Sequence, residues 1–230
     1  MNKNYWVNFW NEYSQELKNK DPQTQVLRTF NKKPIDKELW EHTLSHIMKY
    51  LDIQSTDNVL DLCSGNGLIT KEISLNCKTV TAVDISENLL KQIDTNTYNN
   101  INTIISDIRE LSFNENLFNK IIIYAGIQYL GLKEVVILFK QMYKWLEKGG
   151  ICFLGDIPDI EKRWEFFNTK ERETIFFESI QNEHPIVGTW FDKNFLLKLS
   201  NYCGFTESKV IKQHKGMIYS HFRFDMYIKK

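Results

Sequence analysis

The chain has 230 residues, enough for one α/β domain with a solid core and a small appendage. Lysine plus arginine and aspartate plus glutamate both number 29, so the formal net charge is zero, which argues against a dedicated nucleic-acid binder. No run approaches the ~18 apolar residues of a membrane span, and Met1-Asn2-Lys3-Asn4-Tyr5-Trp6 has no apolar leader core. Cys63, Cys77, Cys152 and Cys203 lie far apart without metal-ligand or CxxC spacing. The expectation is a reduced, cytoplasmic protein, a monomer or homodimer with no nucleic-acid, membrane or metal partner.

Taken in chain order, Tyr5 to Lys18 places its aromatics at helical spacing and predicts an amphipathic helix, which Asp21-Pro22 breaks. Gln25 to Lys33 reads as a polar connector. Pro34 and Asp36 then open a second helix that runs through Leu51. Strand–helix alternation follows. Val59–Asp61, Thr79–Asp84, Ile101–Ser106, Lys120–Tyr124 and Ile151–Gly155 read as strands. Leu68–Asn76, Ser86–Asn96 and Leu132–Lys148 read as helices, the last capped by Gly149-Gly150. This pattern predicts a mostly parallel sheet with helices on both faces. Pro158 to Thr189 is a charged and aromatic helical insertion. Phe191–Cys203 is a further helix, and Ser208–Gln213 with His221–Ile228 form an antiparallel hairpin at the sheet edge.

With no internal repeat, one domain is the simplest organisation. Within it, 1–55 is a helical cap, 56–157 the ligand-binding core, 158–190 the insertion, and 191–230 the terminal helix and hairpin.

The chemistry is densest at Asn58-Val59-Leu60-Asp61-Leu62-Cys63-Ser64-Gly65-Asn66-Gly67. An apolar strand ends in an acid, then turns through glycines into a helix, as at the binding crevice of an open α/β sheet. Asp84 ends the next strand, roughly 20 residues past the glycines, where dinucleotide folds put a ribose-binding acid. Asp107 follows the third strand. The glycine pattern departs from G-x-G-x-x-G and lacks Gly-Lys-Ser/Thr, so a phosphate-cradling loop is disfavoured.

On these residues the chain resembles the class I S-adenosylmethionine-dependent methyltransferases. Motif I of that family resembles Val59–Gly67, with Cys63 where a first glycine is common. Its post-I segment is similar to Val80–Ser86, its later acidic motif to Ser106-Asp107-Ile108, and its fourth-strand motif to Asn119–Ala125. Trp145–Gly150 resembles the turn before strand five, with Glu147-Lys148 in place of Lys-Pro.

The resemblance implies a Rossmann-like seven-stranded sheet and S-adenosylmethionine as methyl donor, leaving as S-adenosylhomocysteine. It implies that Gly65 and Gly67 let the methionine part lie against the turn and that Asp61 meets its ammonium. Asp84 would bind the ribose hydroxyls, Ile85 would pack on the adenine, and Asp107 would accept from the adenine amine with Ile108 stacking nearby. Tyr124 and Ala125 would line the transfer side.

Acceptor contacts are expected from the preface (Tyr5, Trp10, Arg28, Thr29), after strand four (Gln128, Tyr129), and from Trp190 and Arg223. His184, His221 and Asp156 are the candidate bases. The ordinary alternatives stand beside these roles: a helix packed on the core for the aromatic stripe, and surface or structural roles for the histidines. The expected acceptor is a small polar metabolite, with a sugar or nucleotide-activated sugar of surface-polysaccharide biosynthesis as first choice. A non-catalytic cofactor sensor and a nicotinamide-dependent oxidoreductase are the competing readings.

Overall fold

A computed structural model describes residues 3–183 and 186–230. The chain opens with α1 (Lys3–Glu16) and a short α2 (Pro22–Gln25) capped by the Asp21 carboxylate. A small hairpin follows, β1 (Thr29–Phe30) and β2 (Lys33–Pro34), where the sequence predicts only a connector. Asn31 and Lys32, at φ 50° and 62°, supply the left-handed two-residue turn that hairpins favour. α3 (Lys37–Leu51) starts beneath Asp36, whose carboxylate accepts from Leu39 N–H at 2.8 Å, and buries Ile47 and Leu51 against the sheet.

Alternation then proceeds through β3 (Asn58–Leu62), α4 (Leu68–Ser74), β4 (Thr79–Asp84), α5 (Glu87–Leu90), β5 (Ile101–Ile105), β6 (Phe118–Tyr124), α6 (Leu132–Trp145) and β7 (Leu146–Pro158). α5 stops well short of the predicted Asn96. Asp94 takes the N–H groups of Asn96 and Thr97 at 3.0 and 3.4 Å, and this local turn competes with the helix. α6 ends at Trp145 rather than Lys148, because fully buried Leu146 already pairs with Phe118 in the sheet. Gly149 and Gly150 therefore do not cap a helix. They lie in an irregularity where the register passes from Phe118↔Leu146 to Lys120↔Ile151. The insertion contains a 3-10 turn (Ile160–Lys162), α7 (Arg163–Phe166) and α8 (Lys170–Gln181). α9 (Lys193–Cys203), β8 (Glu207–Lys212) and β9 (Arg223–Lys229) complete the elements.

Among the described residues, seven strands form one sheet in the order β5-β4-β3-β6-β7-β9-β8. Neighbours from β5 to β7 are parallel, and β9 is antiparallel to both β7 and β8. The mostly parallel sheet with an antiparallel terminal pair is the predicted class. Period-2 alternation buries both faces: Ile121 and Ile123 of β6 join one core cluster, Ile122 and Tyr124 the other. Strand order reverses between β3 and β6, which opens a crevice at their carboxyl ends.

Candidate active site

Three adjacent strands leave the sheet at this crevice through non-glycine residues in the left-handed region. Cys63 follows β3 at φ 60°, Ala125 follows β6 at 54°, and Asp156 in β7 stands at 61°. Each such residue costs about 1–3 kcal/mol, and such strain concentrates at functional sites. Beyond these bends lies a cavity of ≈ 330 Å³.

One end of the cavity is acidic. Asp84, 7% exposed, accepts from Gly65 N–H through Oδ2 and from Ser86 N–H through Oδ1, each at 2.8 Å. Each oxygen keeps a lone pair for a ligand donor. Burial raises the Asp84 pKa, against the opposing pull of these N–H groups. Asp61, 3% exposed, accepts from the Thr70 hydroxyl at 2.6 Å. Burial lifts its carboxyl to about 7, the Thr70 bond opposes, and Asp84 adds to the rise. Asp107 also lines the cavity, but its carboxylate already accepts from the Arg109 backbone N–H at 2.9 Å and from the Arg109 guanidinium. An adenine amine would have to share those oxygens. Ile85, Ile108 and Leu89 supply apolar wall nearby.

Gly65 and Cys63 line the cavity, whereas Gly67 does not. Gly67 caps α4 at φ 78°, and a Cβ there would lie 2.7 Å from Ile93, so its need for glycine is local. Asp61 and Asp84, buried with acceptor lone pairs left over, stand beside flat apolar walls and fit an ammonium-bearing nucleoside such as S-adenosylmethionine.

The other end is aromatic and carries guanidiniums. Trp6 and Trp10 of α1 pack their rings on Tyr129 at 4.5 and 5.8 Å, forming a roof. α1 is held down by a buried hydroxyl pair, Ser14 to Ser86, at 3.0 Å. Arg28 donates to Asp156 Oδ2 at 2.9 Å and lies 4.3 Å over the Tyr124 ring. Arg223 donates to the Asp156 carbonyl at 2.6 Å and to Oδ2 at 3.2 Å. Gln213 reaches Asp156 Oδ1 at 3.2 Å. Burial alone would raise the Asp156 pKa, but Arg223 and Arg28 hold it below the ordinary carboxylate range.

Of the residues singled out from sequence, Trp10, Arg28, Thr29, Tyr124, Ala125, Gln128, Tyr129, Asp156 and Arg223 all line this one cavity. Tyr5 does not; it packs on Trp6 and Phe9 at ring distances of 4.8 and 6.4 Å. Trp190 lies behind the wall, against Phe166 and Phe222. His221 lies in the turn before β9, which begins at Arg223 rather than at His221, and it is exposed and absent from the lining, where Phe222 and Arg223 stand instead. Partial desolvation lowers its pKa below the ordinary imidazole value. His184 lies outside the described residues. Asp156 is in the wall, yet two guanidiniums and an amide engage its carboxylate, which makes it a poor proton acceptor. Trp6, on the same preface stripe as Trp10, also lines the cavity, and sequence reasoning passed over Phe9 on that stripe and Tyr219, whose hydroxyl donates to Leu27 O at 2.9 Å and pins the preface to the segment before β9.

Among the described residues no group of three or more His, Cys, Asp or Glu side chains is arranged to hold a metal, and no helix is long and apolar enough to cross a membrane. A family model described as a methyltransferase domain matches residues 59–150. A demethylmenaquinone methyltransferase of Listeria monocytogenes is 25% identical over 205 residues, covering 77% of this chain and 81% of the relative. Phosphoethanolamine N-methyltransferase 1 of Triticum aestivum is 26% identical over 153 residues, and the match spans 64% of this chain but only 29% of the relative. The solved structure of Haemonchus contortus phosphoethanolamine N-methyltransferase 1, with phosphoethanolamine and S-adenosylhomocysteine, superposes with a TM-score of 0.72 at 15% identity. It covers 99% of this chain, which spans about half, 48%, of that protein. Residues 59–150 match a methyltransferase domain, and the sheet order and motif placement are those of the class I S-adenosylmethionine-dependent methyltransferases.

Proposed function

We propose that the chain methylates an oxygen or nitrogen of a small polar metabolite, and that the N-terminal preface and the insertion after β7 choose it. The observation that carries this reading is the continuity of one cavity from the acid end, suited to the cofactor, to a second end roofed by Trp6, Trp10 and Tyr129. Bound S-adenosylmethionine supplies an electrophilic methyl on a sulfonium. The chain's own work is to hold and align the acceptor and to exclude water. In this assignment Asp84 and Asp61 orient the donor, Tyr124 and Ala125 border the transfer position, and the aromatic roof keeps water out. Asp156 positions the two guanidiniums rather than taking a proton. A base is needed only if the acceptor must lose a proton on attack.

A sugar or nucleotide-activated sugar remains the first choice. Its ring offers a C–H face to aromatic walls, and its polar rim suits Arg28, Thr29 and Gln128. The relatives named above are a demethylmenaquinone and a phosphoethanolamine methyltransferase and lend the sugar no direct support. They support a small acceptor in general, and nothing in them favours a nicotinamide cofactor.

The test is S-adenosylhomocysteine release from S-adenosylmethionine across a panel of nucleotide-activated sugars, free sugars, phosphoethanolamine and demethylmenaquinol. Turnover with a sugar member is expected. Turnover confined to another member would replace the sugar. Cofactor binding without turnover in acceptor-rich extracts as well would favour the non-catalytic sensor.

A further inference from the structure

The cavity is polarised. Asp61, Asp84 and Asp107 lie at the carboxyl ends of β3, β4 and β5, whereas Arg28 and Arg223 line the wall near β7 and β9. We propose that the acceptor carries an anionic group, a phosphate or a carboxylate, and that Arg28 and Arg223 seat it. This rests on the methyl-transfer reading above and adds the charge of the acceptor to it.

The two guanidiniums are side by side, since both NH1 atoms reach the same Asp156 Oδ2, at 2.9 and 3.2 Å. Their side chains are 8% and 10% exposed. A guanidinium has five donors, yet the bonds formed here use NH1 alone, and all go to Asp156. Arg223 Nε is buried with no partner. The next carboxylate, Asp225, is taken up on the far side. Its Oδ1 accepts from the Asp156 N–H and Gln213 at 2.7 Å each, and its Oδ2 meets His46 Nε2 at 2.8 Å. On the cavity side, two permanent cations therefore share one carboxylate.

Their surroundings hold the guanidiniums without satisfying them. Arg28 lies over Tyr124 at 4.3 Å, and Arg223 beside Tyr219 and Phe222 at 5.1 and 5.2 Å. Ring faces fix a guanidinium plane but leave its in-plane donors for a bidentate anion. Buried cations short of counter-charge are costly, and a ligand anion relieves that cost on binding.

The cofactor's own methionine carboxylate is a second source of the same chemistry, so the test has two arms on the full chain. Inorganic phosphate is titrated by calorimetry into protein saturated with S-adenosylhomocysteine, and into protein saturated with 5′-methylthioadenosine, which lacks the amino-acid part. Sodium chloride at matched ionic strength is the control. The inference expects phosphate to bind in both arms. Arg223→Gln should weaken phosphate about tenfold or more and leave S-adenosylhomocysteine affinity nearly unchanged. Arg223→Lys, which keeps the charge, repeats the comparison should the glutamine variant not fold. Phosphate binding only with 5′-methylthioadenosine, together with a large loss of S-adenosylhomocysteine affinity in the variants, would assign the arginines to the cofactor and overturn the inference. No phosphate binding in either arm overturns it too. If S-adenosylhomocysteine itself does not bind, the donor reading falls first and takes the inference with it.

Discussion

Asp84 commits each carboxylate oxygen to one backbone N–H, at 2.8 Å, and keeps the rest for a ligand. Hydrogen bonds to a charged group contribute about 1.5–3 kcal/mol each, so Asp84→Ala should weaken S-adenosylhomocysteine at least about tenfold by calorimetry. A loss of only a few tenths of a kcal/mol, the scale of a neutral surface change, would remove it from the cofactor site. Asp61 gives a pH signature. Its carboxyl moves from an ordinary 3.8 to about 7 on folding. The folded chain thus keeps a proton that the unfolded chain has released. That contribution to stability is complete below about 4 and is lost as pH rises through about 7. A ligand ammonium reverses the preference, so S-adenosylhomocysteine affinity should rise through this window with proton release. Calorimetry near pH 7 in buffers of different ionisation enthalpy reads that release, and Asp61→Asn should abolish it; equal heats for the unaltered protein would refute the assignment. These acids were legible because a strand end is a local feature. The pairing of Arg223 with Asp156, separated by 67 positions, was not legible, since no local pattern encodes it. His221 drew notice for its titration range, and no local pattern told that it falls in the exposed turn before β9 rather than in the strand.

At the scale of elements, the strands were the easiest to read, because fully buried parallel strands are short apolar runs. β4 matches its expected Thr79–Asp84 bounds, whereas helix ends moved where side chains or the sheet competed for backbone groups. α6 is the clearest case: its apolar stripe continues into Leu146, and nothing in periodicity says that Leu146 belongs to a strand. The insertion reaches the cavity through Phe166, Ile186 and Val187, and Gly188 beside them stands at φ 98°. A Cβ there would lie 2.3 Å from the Gln128 carbonyl oxygen, the same oxygen that accepts from Thr189 N–H at 2.8 Å. Gly188→Ala should therefore lower stability by roughly 1–3 kcal/mol in thermal unfolding and raise the acceptor KM. S-adenosylhomocysteine affinity should stay within about twofold, because Asp61 and Asp84 lie apart from the change. Equal losses at both ends would mean that the insertion also shapes the donor site.

For the whole molecule, the Arg28–Asp156–Arg223 cluster joins the preface, β7 and β9 in one buried contact. Breaking a buried ion pair from one side costs about 3–5 kcal/mol, and Asp156→Ala should do so in denaturant unfolding. A smaller cost near zero would mean that the guanidiniums find other partners. The depressed Asp156 pKa adds stability above the ordinary carboxylate range, lost as pH falls through its folded value. Asp61 acts in the opposite sense, so stability of the unliganded protein should decline on both the acid and the alkaline side. The position of β9 between β7 and β8 has a further consequence, for the order of assembly. Asp61, Asp84 and Asp107 are all in place once about half the chain is synthesised, and their strands pair in parallel with near neighbours. β7, in contrast, keeps an open edge until β9 arrives, since β8 bonds to β9 and not to it. An open edge is where nascent chains pair wrongly. The acidic end of the cavity is thus built early and the end that carries Arg223 last, and a ribosome pausing before Arg223 would hold the chain at its most aggregation-prone stage.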